Sequence, residues 1–223
     1  MPTPLERQFE MLNDMLSRQT DIIARTVAQA IDAAERRDCN LARKIIDRDL
    51  VINVAEVDIE EECLHALACY QPVATDLRYV VSILKVNNDL ERIGDHAVKI
   101  AELACFLANE PPADLMQFID GMGEQVLAML HMALEALLQS DIEKAQQVRN
   151  ADDRIDTIHR RMYEQVETAM RQNPGRISQF IHIINISRQL ERIADLCVNI
   201  CEDVIYAVQG EILRHRSTAA PQL

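Results

Sequence analysis

The chain is predicted to be all-α, six long antiparallel helices forming two tandem three-helix bundles. Three observations predict this. The composition suits long helices, being 48% hydrophobic with no Trp and only 4% aromatic residues, and rich in Ala, Leu, Ile, Glu and Arg. Helix breakers are few and clustered. Finally, Leu90-Glu91-Arg92-Ile93-Gly94-Asp95 returns as Leu190-Glu191-Arg192-Ile193-Ala194-Asp195, 100 positions later, as expected of one structural unit used twice.

The breakers place each element. Pro2 and Pro4 precede a helix over about 5–37. Asp38 can cap a second over 40–69, because a short acceptor side chain satisfies free backbone N–H groups. Pro72 separates it from a third over 73–108, which would span roughly 54 Å at 1.5 Å per residue. Pro111 and Pro112 mark mid-chain, with a fourth helix over 113–139 and, capped by Asp141, a fifth over 141–171. Asn173-Pro174-Gly175 is a strong turn signal before a sixth over 176–209. The polar tail from Arg214 is expected to fray. The expected units are residues 1–110 and 111–223. They also match at an offset of 103, Ala30-Ile31-Asp32-Ala33 with Ala133-Leu134-Glu135-Ala136, and Asp49-x-x-Ile52-Asn53 with Asp152-x-x-Ile155-Asp156.

A formal charge of −13 argues against nucleic acid as the main partner and against an anionic membrane surface. Without a signal-peptide core or eighteen consecutive apolar residues, no membrane insertion is expected and the location is expected to be cytoplasmic. The six cysteines show no CxxC or zinc-finger spacing and are read as small core residues in a reducing compartment. Cys197 and Cys201, at i and i+4, could alternatively hold a thiophilic metal.

The direction of the carboxylates decides what the repeated motif can do. At about 100° per residue, with Glu91 at zero, Asp95 falls near 40° and Glu102 near 20°. Val80, Leu84 and Val98 lie within roughly 20° of the same line, and Lys85, Asp89, Arg92 and His96 at about 100–160°, on the far side. The sixth helix repeats this, with Glu191, Asp195 and Glu202 beside Phe180, Ile184 and Val198, and His182, Asn185, Gln189 and Arg192 pointing away. The second helix stacks Asp49, Asn53, Glu56 and Glu60 in one column. The fifth stacks Asp152, Asp156, His159 and Tyr163. Isolated buried carboxylates must be paired, protonated or metal-bound, and basic residues are scarce on these faces. Oxygen-rich sets suit iron, manganese, magnesium or zinc. The plainer reading is a pair of hydrated acidic seams, with His159 a seam histidine. Glu62-x-x-His65 lies off the column and lacks the second ExxH of di-iron bundles. No phosphate loop, nucleophile elbow or HExxH is present.

From about residue 5 to residue 210 the chain resembles the PhoU family of bacterial phosphate-uptake and phosphate-signalling regulators, on the doubled LERI(G/A)D, Asp76-Leu77-Arg78 and Asn199-Ile200-Cys201-Glu202. The resemblance implies two three-helix bundles and metal ions, often iron or zinc clusters, at (E/D)xxxD motifs, here Glu91/Asp95, Glu191/Asp195 and Asp152/Asp156. Asp49/Asn53 departs from the pattern, and Lys99 stands where the second repeat has Asn199; both would weaken cation binding at the first site. The family implies no enzymatic activity. It implies an adaptor that restrains phosphate uptake and starvation signalling. The implied partners are the ATPase of the phosphate ABC transporter and the phosphate-sensing histidine kinase, with self-association as a homodimer. A di-metal carboxylate enzyme and a metal-free helical scaffold are the rival readings.

Overall fold

A computed structural model describes residues 2–111 and 116–213. Among these, every regular element is a helix: α1 (Pro4–Arg36), α2 (Cys39–Ile46), α3 (Asp49–Tyr70), α4 (Ala74–Ala108), α5 (Met116–Gln139), α6 (Ile142–Gln172) and α7 (Ile177–Gln209), with a 3-10 turn at Pro174–Arg176. The expected tail from Arg214 and the first residues of the helix expected from 113 lie outside the described residues.

Local chemistry sets the boundaries. Thr3 and Glu6 form a capping box at α1. Asp38 accepts from the N–H groups of Asn40 and Leu41, and Asp141 from that of Lys144, as their sequence positions predict. Pro72 falls in the gap between α3 and α4. Gly210 ends α7 at φ 77°, a left-handed cap that glycine adopts without steric cost.

The expected second helix is not continuous. It breaks at Asp47-Arg48, where Arg48 N–H donates to Ile45 O and Val51 N–H to Arg48 O, a tightened i→i+3 pattern. Asp47, Arg48 and Asp49 offer no apolar side chain to hold a straight helix against the core. The equivalent α6 runs unbroken, so the six-helix pattern stands with one helix in two segments.

The first unit is α1 to α4 and the second α5 to α7, and the two share one hydrophobic core rather than burying two. Ile23, Val27, Leu90, Ile93 and Ile100 belong to the same buried cluster as Val126, Leu130, Ile183, Leu190, Ile193 and Ile200. A smaller cluster of Leu12, Ile59, Cys63, Ala66, Val80 and Ile83 fills one end of the first unit. α4 and α7 pack against each other along their lengths. Their antiparallel register is fixed by Lys85 with Asp203 (3.1 Å), His96 with Gln189 (2.8 Å) and the stacked rings of Phe106 and His182.

The cysteine expectation is corrected. Cys39 and Cys105 are joined by a disulfide that ties the start of α2 to the end of α4 across 66 positions, and Cys69 is exposed; only Cys63, Cys197 and Cys201 are buried thiols. Beside the bridge, Arg37 donates from Nε to the Leu107 carbonyl at 2.8 Å. Closing a loop of this length restricts the unfolded chain, so Cys39→Ser is expected to cost about 2–4 kcal/mol. Urea unfolding with and without dithiothreitol measures it; coincident midpoints for wild type and variant in both conditions would contradict a formed bridge.

Candidate metal centres

In the first unit, α3 presents Asp49, Asn53 and Glu56 towards Glu91 and Asp95 of α4. The break at Asp47-Arg48 makes Asp49 the first residue of α3, where the helix dipole favours a carboxylate. The Glu91 carboxyl is held above its usual range by burial first, then by the charges of Asp95, Glu56 and Asp49, against the opposing effect of Lys99. These carboxylates therefore lie within mutual electrostatic reach. Burial, then Glu60, also pushes Glu56 up. Lys99 Nζ lies 3.7 Å from Asp95, so it does point at the cluster's edge. Asn53 Nδ2 donates to one oxygen of Asp49 at 3.3 Å. The remaining Asp49 Oδ1 and Asn53 Oδ1 are buried without a hydrogen-bond partner, a cost of about 1–3 kcal/mol for each such group.

The second unit builds the same arrangement from equivalent positions, Asp152, Asp156 and His159 on α6 and Glu191 and Asp195 on α7. Burial, then the charges of Asp195, Asp156 and Asp153, pushes Asp152 up to about 6. Asp195 reaches the surface, yet partial burial with Glu191 and Asp156 also raises it to about 6, against Arg192. Glu191 is raised by burial and by Asp156 and Asp152, with Arg192 and Arg188 opposing. The His159 imidazole is pushed down by burial and by Arg188, and so favours its neutral form. Its Nδ1 lies 2.6 Å from Ser187 Oγ, which in turn lies 3.3 Å from Met122 Sδ. This contact engages Nδ1 and leaves Nε2 as the ring nitrogen without a protein hydrogen bond among the described residues.

Each cluster thus gathers four carboxylates and one further donor, an amide in the first and an imidazole in the second. Among the described residues, no three His, Cys, Asp or Glu side chains stand as a finished ligand set. The clusters are sets of mutually repelling carboxylates with few basic partners, and the first has two orphaned oxygens. This donor chemistry fits a hard or borderline divalent cation.

Not every residue on the expected faces joins a cluster. Glu202 is drawn to Arg149, with Nε–Oε1 3.6 Å apart. Glu102 is exposed, two turns along α4 from Asp95. Cys197 and Cys201 are no thiolate pair, since burial pushes both thiols up, that of Cys201 to about 12.

The sequence places Lys85, Asp89, Arg92 and His96 on the far side of α4 from the apolar stripe, and Arg92 does pair there with Asp89 at 3.2 Å. In the structure this side packs on the matching side of α7, and Asp89 and His96 are buried. His96 Nδ1 meets Gln189 Oε1 at 2.8 Å, and burial, reinforced by nearby Lys99, Arg192 and Arg92, pushes its imidazole down against that hydrogen bond. Lys85 pairs with the buried Asp203 and lies over the Tyr206 ring at 4.8 Å. The signal was present in two polar faces of equal register, but only packing reveals that they face each other.

The model of the PhoU domain matches residues 16–104 and 119–204. The chain is 32% identical over 207 residues to the phosphate-specific transport system accessory protein PhoU homolog of Clostridium acetobutylicum, covering 92% of this chain and 94% of that one. It is 32% identical over 208 residues to the phosphate-specific transport system accessory protein PhoU of Escherichia coli K12, covering 93% and 86%. The crystal structure of PhoU from Pseudomonas aeruginosa superposes with a TM-score of 0.90 at 35% identity, over 92% of this chain and 99% of that one. The phosphate transport system regulatory protein PhoU from Streptococcus pneumoniae gives 0.86 at 29% identity, over 93% and 98%. With both repeats matched and relatives covered nearly end to end, the chain belongs to the PhoU family.

Proposed function

We propose that the chain is a metal-binding, non-catalytic adaptor that negatively regulates phosphate uptake and phosphate-starvation signalling from the cytoplasmic side of the membrane. The relatives' names as phosphate transport accessory and regulatory proteins support the regulatory part. The observation that carries the metal part is the pair of equivalent carboxylate clusters, with the orphaned Asp49 and Asn53 oxygens and Asp152 and Asp195 raised to about 6. Bound cations, iron or zinc foremost and manganese or magnesium next, would neutralise the repulsion between paired helices and fix their spacing. Asp49, Asn53, Glu56, Glu91 and Asp95 would hold the first group, and Asp152, Asp156, His159, Glu191 and Asp195 the second.

Protein contact is the means by which such an adaptor acts. α3 carries the exposed apolar side chains Leu50, Val51, Val54 and Val57 over its first two turns, with Leu64 further along, exposed apolar surface of the kind that marks interaction sites. This supports contacts with a second copy, the transporter ATPase or the sensor kinase. No helix among the described residues is long and apolar enough to cross a membrane, so membrane association would come through such partners. Deleting the gene is expected to raise phosphate-starvation gene expression severalfold in phosphate-rich medium, measured by a transcriptional reporter. Unchanged expression would remove the regulatory reading.

A further inference from the structure

A polar cavity of about 450 Å³ opens between α4 and α7, lined by Arg92, Asp95, His96 and Lys99 and by Arg192, Asp195, Leu196 and Asn199. Each residue of the first set stands 100 positions before one of the second. The same four helix positions of the two repeats thus meet around one space, which places a pseudo-two-fold axis through it. The antiparallel register of the two helices agrees, since His96 of one meets Gln189 of the other.

The charge of this cavity runs against that of the whole chain. Three basic side chains, Arg92, Lys99 and Arg192, line it beside two carboxylates, whereas the protein carries −13 overall. Arg192 has no carboxylate within ion-pairing distance among the described residues, and Arg92 is anchored from below by the buried Asp89 at 3.2 Å. Two guanidinium groups on opposite walls present planar forks, the donor geometry that phosphate oxygens accept in pairs. The two carboxylates are Asp95 and Asp195, which also belong to the acidic clusters. A cation held there would draw off their charge and leave the cavity more positive.

We propose that this cavity binds a phosphate dianion, as free phosphate or as the phosphate of a small monoester, clasped by Arg92 and Arg192 with Lys99 beside them. The choice of phosphate among oxyanions rests on the regulatory reading above. Because Asp95 and Asp195 are shared, cation and anion binding reinforce each other, and by linkage the effect is reciprocal. Phosphate would thereby be read at the seam between the two repeats.

The test is calorimetric titration of untagged protein, isolated without chelator, with inorganic phosphate, adenosine monophosphate and sulfate at constant ionic strength. Saturable phosphate or monophosphate binding is expected, the tighter of the two identifying the source and sulfate binding more weakly. Arg92→Gln and Arg192→Gln are each expected to weaken it about tenfold or more, as loss of a charge-assisted contact would. Arg43→Gln with Lys44→Gln, which removes two exposed charges on α2, should change it little. Chelation before titration is expected to weaken binding as well. Absence of saturable binding would overturn the proposal. So would binding that both arginine variants retain, including binding that chelation alone abolishes, which would put phosphate on the metal. Circular dichroism confirms that each variant is folded. The titration involves no transporter or kinase, so its failure leaves the regulatory reading to stand or fall on the deletion phenotype.

Discussion

Asp152→Asn combined with Asp195→Asn is expected to raise the melting temperature of metal-free protein and to abolish its stabilisation by cation at the second cluster. Both carboxyls are pushed from 3.8 to about 6. The folded chain therefore retains protons that the unfolded chain has released. A raised pKa contributes stability that is fully present below the unfolded value, near pH 4, and is lost as pH rises through about 6. Metal-free protein is accordingly expected to be more stable at pH 5 than at pH 7.5. Two pKa units correspond to nearly 3 kcal/mol for a fully buried group. These groups are partly exposed and screened, so about 1 kcal/mol for the pair is the appropriate scale, or about 2–4 °C for a chain of this size. Cation inverts the trend by competing with protons, and a site filled at a hundredfold excess over its dissociation constant adds about 2.7 kcal/mol. Thermal melts of wild type and variant, with and without metal, at both pH values resolve the two effects. A variant that melts lower without metal, beside a wild type indifferent to pH, would show that these carboxylates are already satisfied by protein groups.

Gly94→Leu is expected to destabilise the fold by about 3 kcal/mol or more, while Gly94→Ala is expected to stay within about 1.5 kcal/mol of wild type. Gly94 lies where α4 presses on α1 and α3, and an added Cβ would stand 2.9 Å from Ile52 Cδ1 and 3.4 Å from Ile23 Cδ1. The nearest atom is the end of an isoleucine side chain that can swing away. Alanine also gains about 1 kcal/mol of helix propensity over glycine, and the second repeat carries Ala194 at this position. Leucine has no such room. It would push α3 from α4 between Asn53 and Asp95 and so spread the first cluster while leaving the second intact. Urea unfolding reads the stability and metal content reads the cluster. A leucine variant of wild-type stability would contradict the packing at this contact.

Helix boundaries were legible because each carries its own local signal: the caps Asp38 and Asp141, Pro72 between two helices, Asn173-Pro174 before α7. The break at Asp47-Arg48 was not, because three charged residues in a row fit an exposed helical turn as readily as a bend. The acidic columns could be read from rotation about the helix axis, since Asp49, Asn53 and Glu56 must share a face. Rotation says nothing of reach, which is why Glu202 shares Asp195's face but answers to Arg149 from α6. The same limit hid the seam between the repeats. Lys85, Arg92 and His96 lie on the far side of α4 from the apolar stripe, and nothing in the sequence shows that the equally polar face of α7, with Gln189 and Asp203, packs on it. The Cys39–Cys105 bridge had no spacing signature, because its partners meet only once α2 docks on the end of α4.

The most direct measurement is elemental analysis of untagged protein purified without chelator, beside Glu91→Gln with Asp95→Asn and Glu191→Gln with Asp195→Asn. At least about one divalent cation per cluster is expected in wild type, with roughly half lost in each double variant, as two independent oxygen-rich sites require. Wild-type protein free of metal, and variants indistinguishable from it in content and stability, would make both clusters hydrated acidic seams and contradict the metal centres.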